Sequence, residues 1–501
     1  MALALVGAAS ASPESVAEPH GTLKPVSLNG FGNPNNYGFH RIYQFQGYLW
    51  VPAGNRVQGA IVYRSRDGRH WQAVSRPGFD GDRANDAVVT LAWFRGAKDP
   101  PGSKGKLYAA TFCFRCRGAS QNGGDIWRAN ADAKNPKDIV WENVTKNGFG
   151  HPDITAFVGF VVHKNRLYAG TFASGFPKGT HVFRTATGNP RDWHEVAPRG
   201  FGDTVCNTDL HINFVYGDHA YFGTEEAGCI GVKGGEIWRT AGNLKDGQTT
   251  LDGWEKVTLL PGFGKGTNNN VYGMDVFKGH LYAGTWSWGG PGSEVWRAPV
   301  RPPHEGVTPV PFDWEPVNVP GYGDPHNAVS LGLAHLGDTL YAIGADLAGG
   351  GNGFFMRTNG DGALDWEPIT AKGFPPRSGG VLSLDGVYHL EPFKRKMYVV
   401  VERGGAGEQG QLWVYEPTHL PVLKVTAARC TGRRVTVRGT GFDDYQGWKN
   451  YAVFNGSPVR AVKWTSTEIA VQLPAASGSG RIAVYKDGET SNGKVVTCRA
   501  A

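Results

Sequence analysis

The chain has 501 residues and a formal charge of +7, enough length for two or more domains and a charge too diffuse for a nucleic-acid stripe. Its 73 Gly and 16 Trp against 4 Met predict an all-β protein with many turns. No apolar run is long enough to cross a bilayer, so no membrane span is expected.

The opening "MALALVGAASASPESVAEPH" reads as a signal peptide over residues 1–19. "ALALVGAA" supplies a short apolar region and "ASAS" the small residues of a cleavage site, although no basic residues precede them. A secreted protein is therefore expected, and the even count of 6 Cys suits pairing outside the cell.

From Leu23 onward a unit recurs. It contains a Gly-aromatic-Gly turn, an apolar strand, a second strand such as "HLYAGTW", a loop, a third such as "EVWRAP", and a short "WEPV" strand. The turns begin at Gly30, Gly78, Gly148, Gly200, Gly262, Gly321 and Gly373. The second strand reads "YLWVPAG", "KLYAATF", "RLYAGTF", "HAYFGTE", "HLYAGTW", "TLYAIGA" and "KMYVVVE". Seven units of four antiparallel strands predict a seven-bladed β-propeller over residues 20–418, because each unit must bury its apolar face against neighbours in a ring. The last unit, ending "QLWVYEPTH", lacks its outer strand. "LKPVSLNGF" at the N-terminus supplies it, which closes the ring and pairs an open edge.

"SRDGRHW" (Ser65 to Trp71) and "TNGDGALDW" (Thr358 to Trp366) resemble degenerate Asp-boxes of sialidase-like propellers. In that family the turn is structural and lies away from the active site. Residues 419–501 resemble an IPT/TIG domain, an immunoglobulin-like sandwich, through "VTVRGTGF", "YAVFNGSPVRAVKWTSTEIAVQLP" and "GRIAVYKDGETSNGKVV". The resemblance implies a spacer, dimerisation unit or binding accessory, and puts Cys430 and Cys498 on its first and last strands as a pair. Cys206 and Cys229 are expected to tie two loops of the fourth unit. Cys113 and Cys116 in "CFRC" form either a tight loop disulfide or a redox pair.

A propeller's site usually lies around the channel mouth, where the inner strands begin. Several units carry small or apolar residues there. Departures occur at His40, Arg41, Asp209, His211, Tyr272, Tyr388 and His389, and departures from a repeat in one layer are where a site is expected. His40, Arg41, Asp209, His211, Tyr272 and His389 are the candidate catalytic groups. Asn36, Asn207, Asn270, Trp286, Trp288 and Tyr388 are the candidate binding groups, with the two Trp as platforms for sugar rings. No metal ligand set and no cofactor are assigned, although Asp209, Glu225, Glu226 and Asn207 could hold Ca²⁺.

His and Tyr beside an Arg suit proton abstraction next to a carboxylate. This set resembles the seven-bladed polysaccharide lyases in fold and residue type alone, which implies β-elimination of a uronate-containing chain. Hydrolysis by paired carboxylates is the second enzymatic expectation, with Asp209, Glu225, Glu226, Asp275 and Glu391 available. A lectin-like or adhesion propeller is the non-catalytic one. A multivalent lectin would repeat its ligand residues in every blade, whereas these loops differ from blade to blade. The expected partner is a polysaccharide or other glycan; oligomeric state stays open.

Overall fold

The computed structural model describes residues 16–18, 20–100, 103–113, 124–130, 133–151, 153–173, 178–226, 229, 233–287, 289–299, 312–345, 353–360, 365–369, 386–402, 409–443, 450–459, 461–473 and 478–498. The chain is all-β. The inner strands, in order, are Tyr43–Phe45 (preceded by Gly38–Phe39), Ala87–Phe94, Ile154–His163, Asn207–Tyr216, Asn268–Phe277, Val329–Leu336 and Gly386–Phe393. Each pairs antiparallel with the strand after it, and two further antiparallel strands complete each group. Successive inner strands touch in a closed cycle, with Gly386–Phe393 meeting Tyr43–Phe45. The described strands thus form a propeller of seven such groups.

The N-terminal segment closes the ring. Strand Gly21–Ser27 pairs with Gln411–Pro417 as the outer strand of the seventh group. Val16–Glu18 adds a further strand beside it. That strand falls inside the segment read as a signal peptide, while residues 1–15 and 19 lie outside the described residues.

The recurring Gly-aromatic-Gly turn has a physical basis. Phe31, Phe79, Phe149, Phe201, Phe263 and Tyr322 all take left-handed backbone conformations, with φ between 53° and 66°. Such a conformation is costly for a bulky side chain. The ring is held by stacking on an aromatic of the third strand: Phe201 on Trp238 at 4.9 Å and Phe263 on Trp296 at 4.8 Å, both nearly parallel. The seventh turn, at Gly373, lies outside the described residues.

Neighbouring blades are bonded by two repeated devices. Outer-strand Trp side chains donate to carbonyls of the preceding blade: Trp141 to Val74, Trp254 to Val196, Trp314 to Val257 and Trp366 to Val317. Third-strand Arg side chains reach forward, Arg128 to the Gly188 carbonyl and Arg184 to that of Leu244. In the Ser65–Trp71 turn, Asp67 accepts from the amides of Arg69 and His70.

The C-terminal unit is a two-layer sandwich. Lys424–Thr431, Arg434–Thr440, Glu468–Gln472 and Ala461–Trp464 form one sheet; Ser457–Val459, Asn450–Phe454, Gly480–Lys486, Glu489–Thr490 and Lys494–Val496 form the other. Val425, Val437, Ile469, Ile482 and Val484 fill the space between them. Disulfides join Cys430 to Cys498 and Cys206 to Cys229. Cys113 is also disulfide-bonded, and Cys116 lies outside the described residues.

The sandwich does not hang from a linker as a spacer would. It packs on the hairpin turns that end the inner strands. Gln44 donates to Asp487, the Lys394 amide to the Asp487 carbonyl, and Arg395 to the carbonyls of Leu420 and Pro421. At the centre of this contact His335 lies between Asp275 at 2.7 Å and Asp443 at 3.4 Å. Asp443 is also bonded to Lys486 and to Asn450.

Candidate functional site at the ring mouth

The opposite ends of the inner strands bring three ionisable side chains together. Asp209 and His211 stand two apart on Asn207–Tyr216. Glu225 comes from the paired strand His219–Glu226, directly opposite Asp209. His211 Nε2 lies 2.7 Å from Asp209 Oδ2 and 2.5 Å from Glu225 Oε2. The Tyr272 hydroxyl, from the next blade, lies 3.0 Å from the same nitrogen, and the two rings stack at 4.1 Å. Three oxygens therefore converge on one nitrogen that carries at most one proton.

The environment redistributes charge within this group. Burial pushes Asp209 above the usual carboxylate range, to about 6, against the pull of His211. Burial alone would lower His211, but the two carboxylates outweigh it and raise the imidazole to about 9. The Tyr272 hydroxyl is raised well above its ordinary value, first by burial and then by Glu225 and Asp209. Arg41 spans the channel from the first blade. Its guanidinium donates to the carbonyls of Val89 at 2.8 Å and His211 at 3.3 Å, which bolts the trio's strand to blades one and two.

His40 belongs to a second, adjoining cluster. It is 6 % exposed. Its Nδ1 lies 3.3 Å from Glu402, its Nε2 is 3.4 Å from the Tyr37 hydroxyl, and its ring meets Tyr388 edge-on at 5.2 Å. Burial, then the charges of Arg41 and Arg56, hold this imidazole neutral, down to about 3. His389 follows Tyr388 on the seventh inner strand, half-buried and opposite Val400.

The candidate binding residues divide. Asn36 and Asn207 are spent inside their blades. Asn36 donates to the Gly30 carbonyl and accepts from Asn55; Asn207 donates to the Gly200 carbonyl and Glu236 and accepts from Thr224. Asn268, not Asn270, is their counterpart in the fifth blade, donating to Gly262 and Glu294. Asn270 is 1 % exposed, and neither end of its amide has a hydrogen-bond partner among the described residues. It sits opposite Glu225 across the blade junction and opposite Trp286 within its own blade, so the three side chains share a face. Trp286 packs with Tyr272 and Tyr388 against Val329 and Leu331 as part of an apolar wall. Trp288 lies outside the described residues.

Glu225 is the site residue that the departures in the inner-strand layer leave out. Its signal lies one strand further out: it occupies the position held by Phe172 in the third blade and Trp286 in the fifth. Glu402 likewise ends a second strand, Lys396–Glu402, and Tyr37 precedes Gly38–Phe39. The oxygen set considered for Ca²⁺ does not converge. Glu226 turns away from Glu225 and accepts from the amides of Lys233 and Gly234 beside the Cys206–Cys229 bridge. Asp209, His211 and Glu225 are close enough to hold one cation, their ligand atoms all lying within 4.8 Å of one another.

Residues 426–497 match the sequence model of the IPT/TIG domain. The C-terminal sandwich is an IPT/TIG domain. A search of curated proteins finds no match to the chain. Among solved structures, Drosophila semaphorin 2a is similar at 12 % identity and a TM-score of 0.43, covering 93 % of this chain and 97 % of that one. The β-propeller domain of the trilobed protease from Pyrococcus furiosus matches at 8 % identity and a TM-score of 0.36, covering 76 % and 97 %. A GH43 endo-arabinanase from Bacillus licheniformis matches at 15 % identity and a TM-score of 0.29, covering 49 % and 87 %.

Proposed function

We propose that the protein is an extracellular glycan-active propeller that hydrolyses a polysaccharide at the ring mouth with Asp209, His211 and Glu225. The observation that carries this reading is the convergence of two carboxylates on His211 Nε2, with ligand atoms within 4.8 Å of one another. Asp209 and His211 are both shifted towards their protonated forms, so the group retains a proton at neutral pH. That proton goes to the leaving oxygen as the glycosidic bond breaks, Glu225, the more exposed carboxylate, supports the cationic sugar, and a water adds to the sugar and returns a proton to the group. The cationic surplus of the chain, +7, favours an acidic, uronate-containing polymer.

β-Elimination is less well served. His211 is held as imidazolium by its carboxylates and cannot take an α-proton in that state, and Arg41 is engaged by backbone carbonyls. A binding-only reading has one observation in its favour: the trio satisfies its own charges, as a structural ion cluster would. Incubation with acidic and neutral polysaccharides separates the three. New reducing ends without ultraviolet absorbance of unsaturated uronates are expected. Absorbance rising with reducing ends would establish a lyase, and glycan binding without either signal would establish a binding module.

A further inference from the structure

A second group of ligand-type side chains lies on the third blade, away from the mouth trio. In the fourth and fifth blades the residue just before the third strand, Ile237–Thr240 or Val295–Pro299, is Glu236 or Glu294. Each carboxylate accepts from an Asn and a Trp: Asn207 and Trp238, or Asn268 and Trp296. The third blade abandons the whole arrangement. Ile154 meets the turn glycine Gly148 where Asn207 and Asn268 meet Gly200 and Gly262. Phe183 stands for the Trp, and His181 for the Glu, with the same backbone bond to the preceding strand, Thr171 to His181.

The replacements assemble a different chemistry. His181 has no side-chain exposure, and Asp153 has 7 %. His181 Nδ1 is 2.5 Å from Glu195 Oε1, and its Nε2 faces Asp153 Oδ2 at 3.3 Å. The His151 ring, half-buried, lies 5.0 Å from the His181 ring. One ligand atom each from His151, Asp153 and His181 fall within 4.8 Å of one another. Arg199 comes within 4.0 Å of Asp153 Oδ2, and the charge of Lys178 also acts on this carboxylate.

We infer that the third blade carries a Zn²⁺-type site, with His151, Asp153 and His181 as ligands and Glu195 orienting His181 through Nδ1. Two imidazoles with one carboxylate suit a borderline ion such as Zn²⁺ and not the all-oxygen preference of Ca²⁺ or Mg²⁺. A carboxylate behind a ligating imidazole fixes its tautomer and orientation. Three protein ligands leave a fourth position, on the side of the half-exposed His151, for water or another small donor. The metal would take over the staple between turn and third strand that Asn, Trp and Glu make in the sister blades.

The test is Zn²⁺ binding by the full chain, purified without a metal-affinity tag and titrated against a chromophoric chelator. The expected result is a site lost, or weakened at least about 100-fold, in His151→Ala, weakened about 10–100-fold in Glu195→Gln, and retained in His211→Ala. His151 is half-exposed, so His151→Ala is expected to fold, and unchanged circular dichroism checks it; Glu195→Gln provides a second, milder variant. Loss of Zn²⁺ binding in His211→Ala with retention in His151→Ala would overturn the assignment. So would a wild-type chain that binds no Zn²⁺. Glycan cleavage is not a readout here, so this inference and the mouth reading fail separately.

Discussion

The proton held among Asp209, His211 and Glu225 gives the residue scale its sharpest expectation. His211 is raised to about 9 in the folded chain by its two carboxylates. A group raised on folding stabilises fully below its ordinary value of 6.5 and loses that contribution as pH rises through the folded value. The same deprotonation removes the acid, so kcat/KM is expected to fall on an alkaline limb near pH 9; a profile flat to pH 10 would contradict the stored proton. Asp209, His211 and Tyr272 were legible as polar intrusions into an apolar column of the repeat. Their mutual bonding was not, because no spacing reveals that a side chain from the paired strand completes the group. Asn36 and Asn207 misled for a related reason. They stand at the mouth in sequence, yet their amides close the turn beneath it.

At the scale of elements, the turn aromatics and the closing strand carry the fold. Phe201 is 4 % exposed and stacks on Trp238 from a left-handed backbone position. Phe201→Ala is expected to cost about 3–5 kcal/mol, read as a lowered denaturation midpoint with an unchanged denaturant slope. Deletion of residues 20–30 removes the strand Gly21–Ser27 and exposes the edge of Gln411–Pro417. Its melting temperature is expected to drop sharply, and a truncated chain that melts like the full one would contradict ring closure as a source of stability. The strands were legible because each blade repeats its pattern. Equivalent positions at the mouth were not legible because the turns differ in length: Gly148 meets Ile154 six residues on, whereas Gly200 meets Asn207 seven on.

At the scale of the whole molecule, the IPT/TIG domain is bonded to the propeller by a buried ionic chain. Asp275 and Asp443 raise His335 well above its ordinary value despite burial. Burial would raise Asp443, but Lys486 and His335 hold it below the usual carboxylate range. His335 contributes fully below pH 6.5 and fades as pH rises through its raised value; Asp443 contributes above pH 3.8 and fades as pH falls. The interface is therefore strongest between those limits. His335→Gln is expected to flatten the neutral-to-alkaline part of a melting-temperature profile, and Lys486→Ala to cost about 3–5 kcal/mol by leaving Asp443 without its strongest counter-charge. Nothing in the linear pattern announced this contact, since its partners come from two units with unrelated repeats.

The most direct measurement compares new reducing ends from an acidic polysaccharide with wild-type protein, Glu225→Gln and Asp209→Asn. Cleavage by the wild type, with a fall of about 100-fold or more in Glu225→Gln and a folded variant by circular dichroism, is the expected result. Equal rates in wild type and Glu225→Gln would place the chemistry elsewhere and contradict a hydrolytic site at the ring mouth.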